Sequence, residues 1–281
     1  MDLLLRFGPL GLYALTLGLM LVLGALFPRQ AGLGFVTRDM GLNVANGALL
    51  FVLRLTIFKA AEPFFALGLV DAGGWPVWMQ ALVGFLALDL LRYGLHFAHH
   101  RVPFLWSFHR VHHSAETVDA TTGLRMHVVD FVQLSLLPPL LFSTVLNTTG
   151  WNPWVLPGVL LIGQLMDAFQ HANLRFPMGH PLCRAWNLLF NNPHFHAWHH
   201  TRDGHVLDGN YGNTLVVWDR LFGTDVSRDV PPGLYGIAPW KQLQQSLIGF
   251  WLLRRQRPEE DPVDRPELFD PISSRPPYRP W

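Results

Sequence analysis

HFAHHRVPFLWSFHRVHH, residues 96–113, and its shorter echo HAWHH, residues 196–200, decide how the rest of this chain is read. All 14 histidines lie between His96 and His205. At about 5% histidine, an HxxHH pattern should arise by chance at roughly one position in eight thousand. Here it occurs at His109/His112/His113 and again at His196/His199/His200. On a helix, positions i, i+3 and i+4 share a face, and His96 and His100 form a further pair of that kind. Neutral imidazole is the commonest metal-ligating side chain. A lone histidine reads as packing; two HxxHH patterns beside an HxxxH pair read as a metal site. Eight imidazoles exceed one tetrahedral set, which implies two metals. Cys183 is the only cysteine, so thiolates are excluded from the ligand set. The chain has no HExxH, so a zinc-peptidase reading lacks its general base. Ligand type alone leaves iron, copper, zinc and nickel open.

The surroundings are apolar. Half of the 281 residues are hydrophobic, 15% are charged, and there are 11 tryptophans, which points to the membrane class. A net charge of +1 and the absence of a basic stripe exclude a nucleic-acid partner. Leu10–Phe27 is long enough to cross a bilayer core, and a signal peptide is disfavoured by Asp2 and the lone Arg6. A polar connector, 28–43, leads to a second run, Val44–Ala61, which carries Arg54. Pro63 interrupts it, and Phe64–Val70 is expected to be a half-span or a continuation. Trp75–Leu95 is a clear span with Trp75 and Trp78 as interfacial anchors. Pro103 should break the helix before HRVHH. An apolar hairpin follows, Val128–Leu146 and Trp154–Phe169, kinked at Pro138–Pro139. His205–Thr224 reads as a glycine turn and a short extended segment. Lys241–Arg255 reads as an amphipathic helix lying on a membrane surface, and the proline-rich tail from Pro258 as extended.

The expected fold is therefore an all-α membrane protein of about four transmembrane helices: two single spans, one helical hairpin, and one further span or half-span. A histidine-rich helical cap completes it. The expected divisions are 1–40, an N-terminal span and connector; 41–224, the histidine-box domain; 225–257, the interfacial helix; and 258–281, the tail. The 75–95 span delivers His96 to one face, and the hairpin leaves that face at His127 and returns at His171, so every histidine group arrives on one side. Arg101, Arg110, Arg125, Arg175, Arg184, Arg202 and Arg220 gather there too, which makes that side cytoplasmic by the positive-inside rule. Arginine far outnumbers lysine, as in GC-rich bacterial genomes, so the inner membrane of a bacterium is the expected location.

With these pieces assembled, the chain resembles the fatty acid hydroxylase/sterol desaturase superfamily of integral-membrane di-iron oxygenases. The resemblance runs from Asp89-Leu-Leu-Arg-Tyr93 and His96…His100 through Leu105-Trp-Ser-Phe-His109-Arg-Val-His-His113-Ser and Arg125-Met-His127. It continues with Gln170-His171-Ala-Asn173, Pro193-His-Phe-His196-Ala-Trp-His-His200, Asn210-Tyr-Gly212 and Trp218-Asp-Arg-Leu-Phe-Gly-Thr224. It covers roughly Gly41–Thr224. Phe97, Asp130 and His194 depart from the residues that the family usually carries there, which leaves the substrate open.

The resemblance implies two iron ions, dioxygen, an external electron donor of the reductase or ferredoxin type, and a lipid substrate hydroxylated at an unactivated C–H bond. Zinc can replace iron in purified protein. The implied ligands are His96, His100, His109, His112, His113, His196, His199 and His200, with His171 and His127 next. His99, His180, His194 and His205 fall off the pattern. Asp167, four residues before His171, and Asp130, three after His127, are each in helical reach of an imidazole that they would orient; Asp89, near the end of its span, is a third candidate. Desaturation and ether-lipid cleavage are alternatives on the same site. A metal-binding transporter is the alternative from another class, disfavoured because its polar residues would meet at mid-membrane. A lipid substrate calls for an apolar cavity between the 75–95 span and the kinked hairpin, open sideways to the bilayer.

Overall fold

Each long apolar run becomes a helix in the computed structural model, which describes residues 2–32, 37, 39–61, 63–64, 67–201, 208–228, 232–233 and 235–237. The helices are α1 (Asp2–Leu26), α2 (Met40–Ala61), α3 (Val77–Arg101), α4 (Pro103–His113), α5 (Val128–Val145), α6 (Val155–His171), α7 (Pro181–Asn187), α8 (Pro193–His199) and α9 (Val217–Phe222). Three of them, α2, α3 and α5, are long and apolar enough to cross a membrane. Their most apolar windows are only 17%, 22% and 28% buried inside the molecule. Apolar helices that hide so little of themselves against protein are built to meet lipid. In α1 the described apolar stretch is Leu10–Leu26, and α6 has 17 residues, so both are shorter than those three windows.

Among the described residues, the stretch Phe64–Val70, expected as a half-span or a continuation, is not helical from residue 67 on. α2 ends at Ala61, and Val70–Asp71 forms a two-residue strand, β1, paired in parallel with Leu146–Asn147, β2. Gly68 is needed at this join, since a Cβ there would meet the backbone nitrogen of Asn147 at 2.0 Å. β2 ends α5 and opens the turn into α6, so the pairing ties the entry of α3 to the bend of the hairpin. Trp151 sits in that bend, donates its indole N–H to the carbonyl of Ala72 at 3.0 Å, and packs with Leu88, Phe142 and Val155. Pro138 and Pro139 lie inside an unbroken α5, both buried.

α3 is the centre of the bundle, packed against α4, α5 and α6, while α1 packs on α6. Pro103 behaves as expected: α3 stops at Arg101 and α4 starts with Pro103 in its first turn, where a missing N–H costs nothing. The anticipated extended segment before Thr224 pairs Leu215 with Phe190 in an isolated bridge and then turns into α9. The Lys241–Arg255 helix and the tail lie outside the described residues.

Candidate metal centre

α3, α4, α6 and α8 converge at one end of the bundle and bring nine histidines into two groups. His96, His100, His109, His113 and His199 form the first; His112, His171, His196 and His200 form the second. Within each group the ligating nitrogens all lie within 4.8 Å of one another. Neither group follows the sequence motifs. Each HxxHH is split: His109 and His113 enter the first group while His112 enters the second, and His196 and His200 enter the second while His199 enters the first. Helical geometry explains the split. Successive residues turn by about 100°, so i and i+4 nearly align whereas i+3 leans to the other side. α4 and α8 thus lie between two sites and contribute to both.

In the second group the Nε2 atoms of His112 and His171 are 3.2 Å apart, those of His171 and His196 2.9 Å, and those of His196 and His200 3.1 Å. In the first, the Nε2 atoms of His96 and His109 are 3.1 Å apart, and Nε2 of His100, His113 and His199 has no partner. The opposite ring nitrogen is held in five of the nine, while Nδ1 of His196 and His200 is buried without a partner. Nδ1–H of His96 donates to the carbonyl of Tyr211 at 2.8 Å, that of His199 to Gly209 at 2.9 Å, that of His171 to Asp167 at 2.7 Å, and that of His112 to Arg125 at 3.3 Å. His109 Nδ1 meets the Asp130 carboxylate at 3.1 Å. A carbonyl can only accept, so the proton sits on Nδ1 and the Nε2 lone pair faces inward. Lone pairs aimed at one another across about 3 Å repel unless a cation lies between them, and ligands about 2.1 Å from a metal stand at roughly that separation. Both groups fit a metal ion.

Burial, reinforced by neighbouring imidazoles, holds His109, His113, His196, His199 and His200 well below the ordinary histidine range, and His112 at about 3. They are neutral at pH 7, the state in which imidazole binds metal.

His127 stands outside both groups. Its Nδ1 accepts the N–H of Val129 at 3.0 Å, capping α5, and its ring packs on Phe108. Of the histidines off the pattern, His180 caps α7, and His194 Nε2 donates to the carbonyl of Arg228 at 2.6 Å. His99 donates through Nδ1 to the Leu95 carbonyl at 2.7 Å, and its Nε2 lies 2.8 Å from Gln133 Oε1 and 3.3 Å from Asp130. His205 lies outside the described residues.

Asp130, paired with His127 by sequence spacing, is instead shared between His99 and His109, because the start of α5 faces α4 and the end of α3. Asp167 orients His171 through its backbone carbonyl; its carboxylate stays 3.6 Å away. Among the described residues Asp89 touches no imidazole. It accepts the N–H groups of Thr214 and Leu215 at 3.0 and 3.1 Å and the indole N–H of Trp218 at 2.9 Å, fastening the 212–218 segment to α3. One partner escaped the sequence reading: Asp208, whose Oδ1 is 3.5 Å from His100 Nδ1. It is brought in by a turn with left-handed backbone at Asp208 and Asn210, which no helical spacing could indicate.

The 210–224 motifs now have a physical reading. Asp219 accepts the N–H groups of Tyr211 at 2.7 Å and Gly212 at 2.8 Å and the hydroxyl of Thr224 at 2.7 Å, and burial raises it to about 7. This clamp sets the Tyr211 carbonyl that orients His96. Two of the seven arginines assigned to this face, Arg110 and Arg125, are buried in the cap, and Arg202 lies outside the described residues. Between the 75–95 span and the hairpin, where a cavity is expected, a narrow cleft opens between α3 and α6, the second arm of the hairpin.

A sequence profile described as "Fatty acid hydroxylase" matches residues 81–224, just over half of the chain. An alkylglycerol monooxygenase of Xenopus tropicalis is 31% identical over 165 residues, which are 58% of this chain and 33% of that protein. The ornithine lipid hydroxylase OlsE of Rhizobium tropici is 30% identical over 156 residues, 53% of this chain and 43% of the relative. Methylsterol monooxygenase 2-2 of Arabidopsis thaliana is 27% identical over 189 residues, 62% and 65% of the two chains. The matched region thus spans less than half of the first two relatives. No solved structure gives a significant match. The profile match runs from the second turn of α3 through α9 and takes in every histidine of both groups, and the chain belongs to the fatty acid hydroxylase family.

Proposed function

We propose that this chain is a membrane-bound lipid hydroxylase in which each histidine group holds one iron ion. The observation that carries the reading is the pair of neutral-imidazole groups, five and four strong, at the ends of apolar helices that leave most of their surface for lipid. Two irons bound there supply the reduction of dioxygen that attack on an unactivated C–H bond requires, with electrons from a separate donor. The chain's own residues do the rest. The Tyr211, Gly209, Arg125 and Asp167 carbonyls and the Asp130 carboxylate hold the Nδ1 protons and so fix the rings. The packed cap keeps water from the centre, with His109, His171, His196 and His200 all 2% exposed or less.

Several relatives are named alkylglycerol monooxygenase, which makes the carbon beside an ether oxygen the first substrate position to test. We further propose that residues 41–224 form the catalytic unit, that the histidine end faces the cytoplasm of a bacterial cell, and that the donor is a reductase or ferredoxin. Lipid profiling of a host with and without the gene tests the activity. The expected result is an oxygen-dependent gain of one oxygen atom in one lipid class; a loss of two hydrogens instead would make the chain a desaturase. No lipid change, together with fewer than two metals per chain, would defeat the reading.

A further inference from the structure

We infer that Arg92 is the receptor for the anionic head of a lipid lodged in the cleft between α3 and α6. This rests on the lipid-hydroxylase reading and narrows its substrate class.

Arg92 lies on α3 four residues before His96, inside a helix apolar enough to cross a membrane. Its guanidinium fills the gap left by a glycine on the facing helix: a Cβ at Gly163 of α6 would meet Nη1 at 2.8 Å. Among the described residues no acceptor stands within hydrogen-bonding or ion-pair distance of that guanidinium. The two nearby carboxylates act on it only electrostatically. Asp89 is saturated by Thr214, Leu215 and Trp218, and Asp167 is turned toward Gln170 and His171. A second cation, Arg54 of α2, stacks on Phe58 and is near enough for the two like charges to act on each other.

A guanidinium without acceptors in apolar surroundings is costly. Its fork of five N–H donors matches the oxygens of a phosphate or carboxylate. The walls running from Arg92 away from the histidines are Phe85, Leu88, Val159 and Leu160; Asn213 and Thr214 line the cleft as neutral polar groups, and Asp89 lines it as a carboxylate already engaged by three donors. The cleft has room for little more than a water molecule, so a bound lipid would part α3 from α6 along it. A free anion would satisfy the arginine and leave the apolar walls bare; an amphiphile satisfies both. By helical rise, Arg92 lies about 6 Å from His96, and Gly163 about 12 Å from His171. The carbons next to the head, rather than the far end of the tail, would therefore come nearest the metal groups.

Binding to the full chain in neutral detergent, read by native mass spectrometry without turnover, tests this. The probes are oleoyl lysophosphatidic acid, monooleoylglycerol and inorganic phosphate, with metal content as the folding check. The expected result is that the lysophosphatidic acid binds roughly tenfold to a hundredfold tighter than the neutral glyceride. Arg92→Gln should remove that ratio. Gly163→Ala, which keeps the charge but sets a methyl against Nη1, should reduce it, and it decides the matter if Arg92→Gln fails to fold. An unchanged ratio in the variant that folds, or displacement of the lipid by an equal concentration of phosphate, would overturn the inference. The hydroxylase reading fails separately: an intact ratio in a chain that holds two irons yet oxidises no lipid would defeat that reading and leave the lipid site standing.

Discussion

His112 adjoins His113 in sequence yet serves the other metal group, and His199 does the same beside His200. Replacing either with alanine should therefore strip one metal and leave the other, so elemental analysis should fall from two ions per chain toward one as turnover disappears. His180→Ala should keep both ions, because that exposed ring only caps α7. His127→Ala separates the ligand expectation from the capping geometry. The structure predicts two ions retained and about 1 kcal/mol of stability lost with the cap; loss of metal would return His127 to the ligand set. Asp130→Asn keeps the shape but not the charge that holds His109 and His99, and should weaken metal binding or activity by roughly ten to a hundredfold. The six depressed imidazoles of α4 and α8 also set a pH dependence. Below about pH 6.5 the unfolded chain takes up protons that the folded, metal-free protein refuses, so stability falls as pH drops, by up to about 1.4 kcal/mol per unit for each histidine. Melting temperatures of metal-free protein between pH 8 and 5 check this, and a flat profile would contradict the burial of neutral rings.

Among the elements, α3 carries the most. It supplies His96 and His100 to a metal group, Asp89 to the 212–218 segment, and Tyr93, whose hydroxyl meets that of Thr224 at 2.9 Å. Asp89 is thus an anchor of an anchor, since the segment it fastens holds the carbonyl that orients His96. Asp89→Ala would leave three buried donors without an acceptor, at roughly 1–3 kcal/mol each. The expected outcome is a large fall in melting temperature with metal loss from the first group ahead of the second, read by following each site's metal during heating. Equal loss from both would mean that Asp89 supports the cap as a whole. Helical periodicity cannot reveal this role, because the partner lies 125 residues away and has no helical spacing to Asp89.

At the scale of the whole molecule, membrane orientation has a built-in probe in Cys183, the only cysteine of the chain. It lies half-buried in α7, between the helices that carry His171 and His196. An impermeant maleimide should label it in inside-out vesicles and not in right-side-out ones; the reverse would place the histidine end outside the cell. The sequence alone determined that apolar runs form helices, where Pro103 separates α3 from α4, and that the clustered imidazoles suit a metal. Those conclusions depend on local physics, the hydrophobicity of a stretch and the spacing of side chains along one helix. It did not determine which imidazoles are grouped together, why His127 caps a helix instead, or that Asp130 serves His109. These follow from how α4 and α8 are packed between the two sites, a matter of distances between residues far apart in the chain, and only the tertiary structure sets those distances.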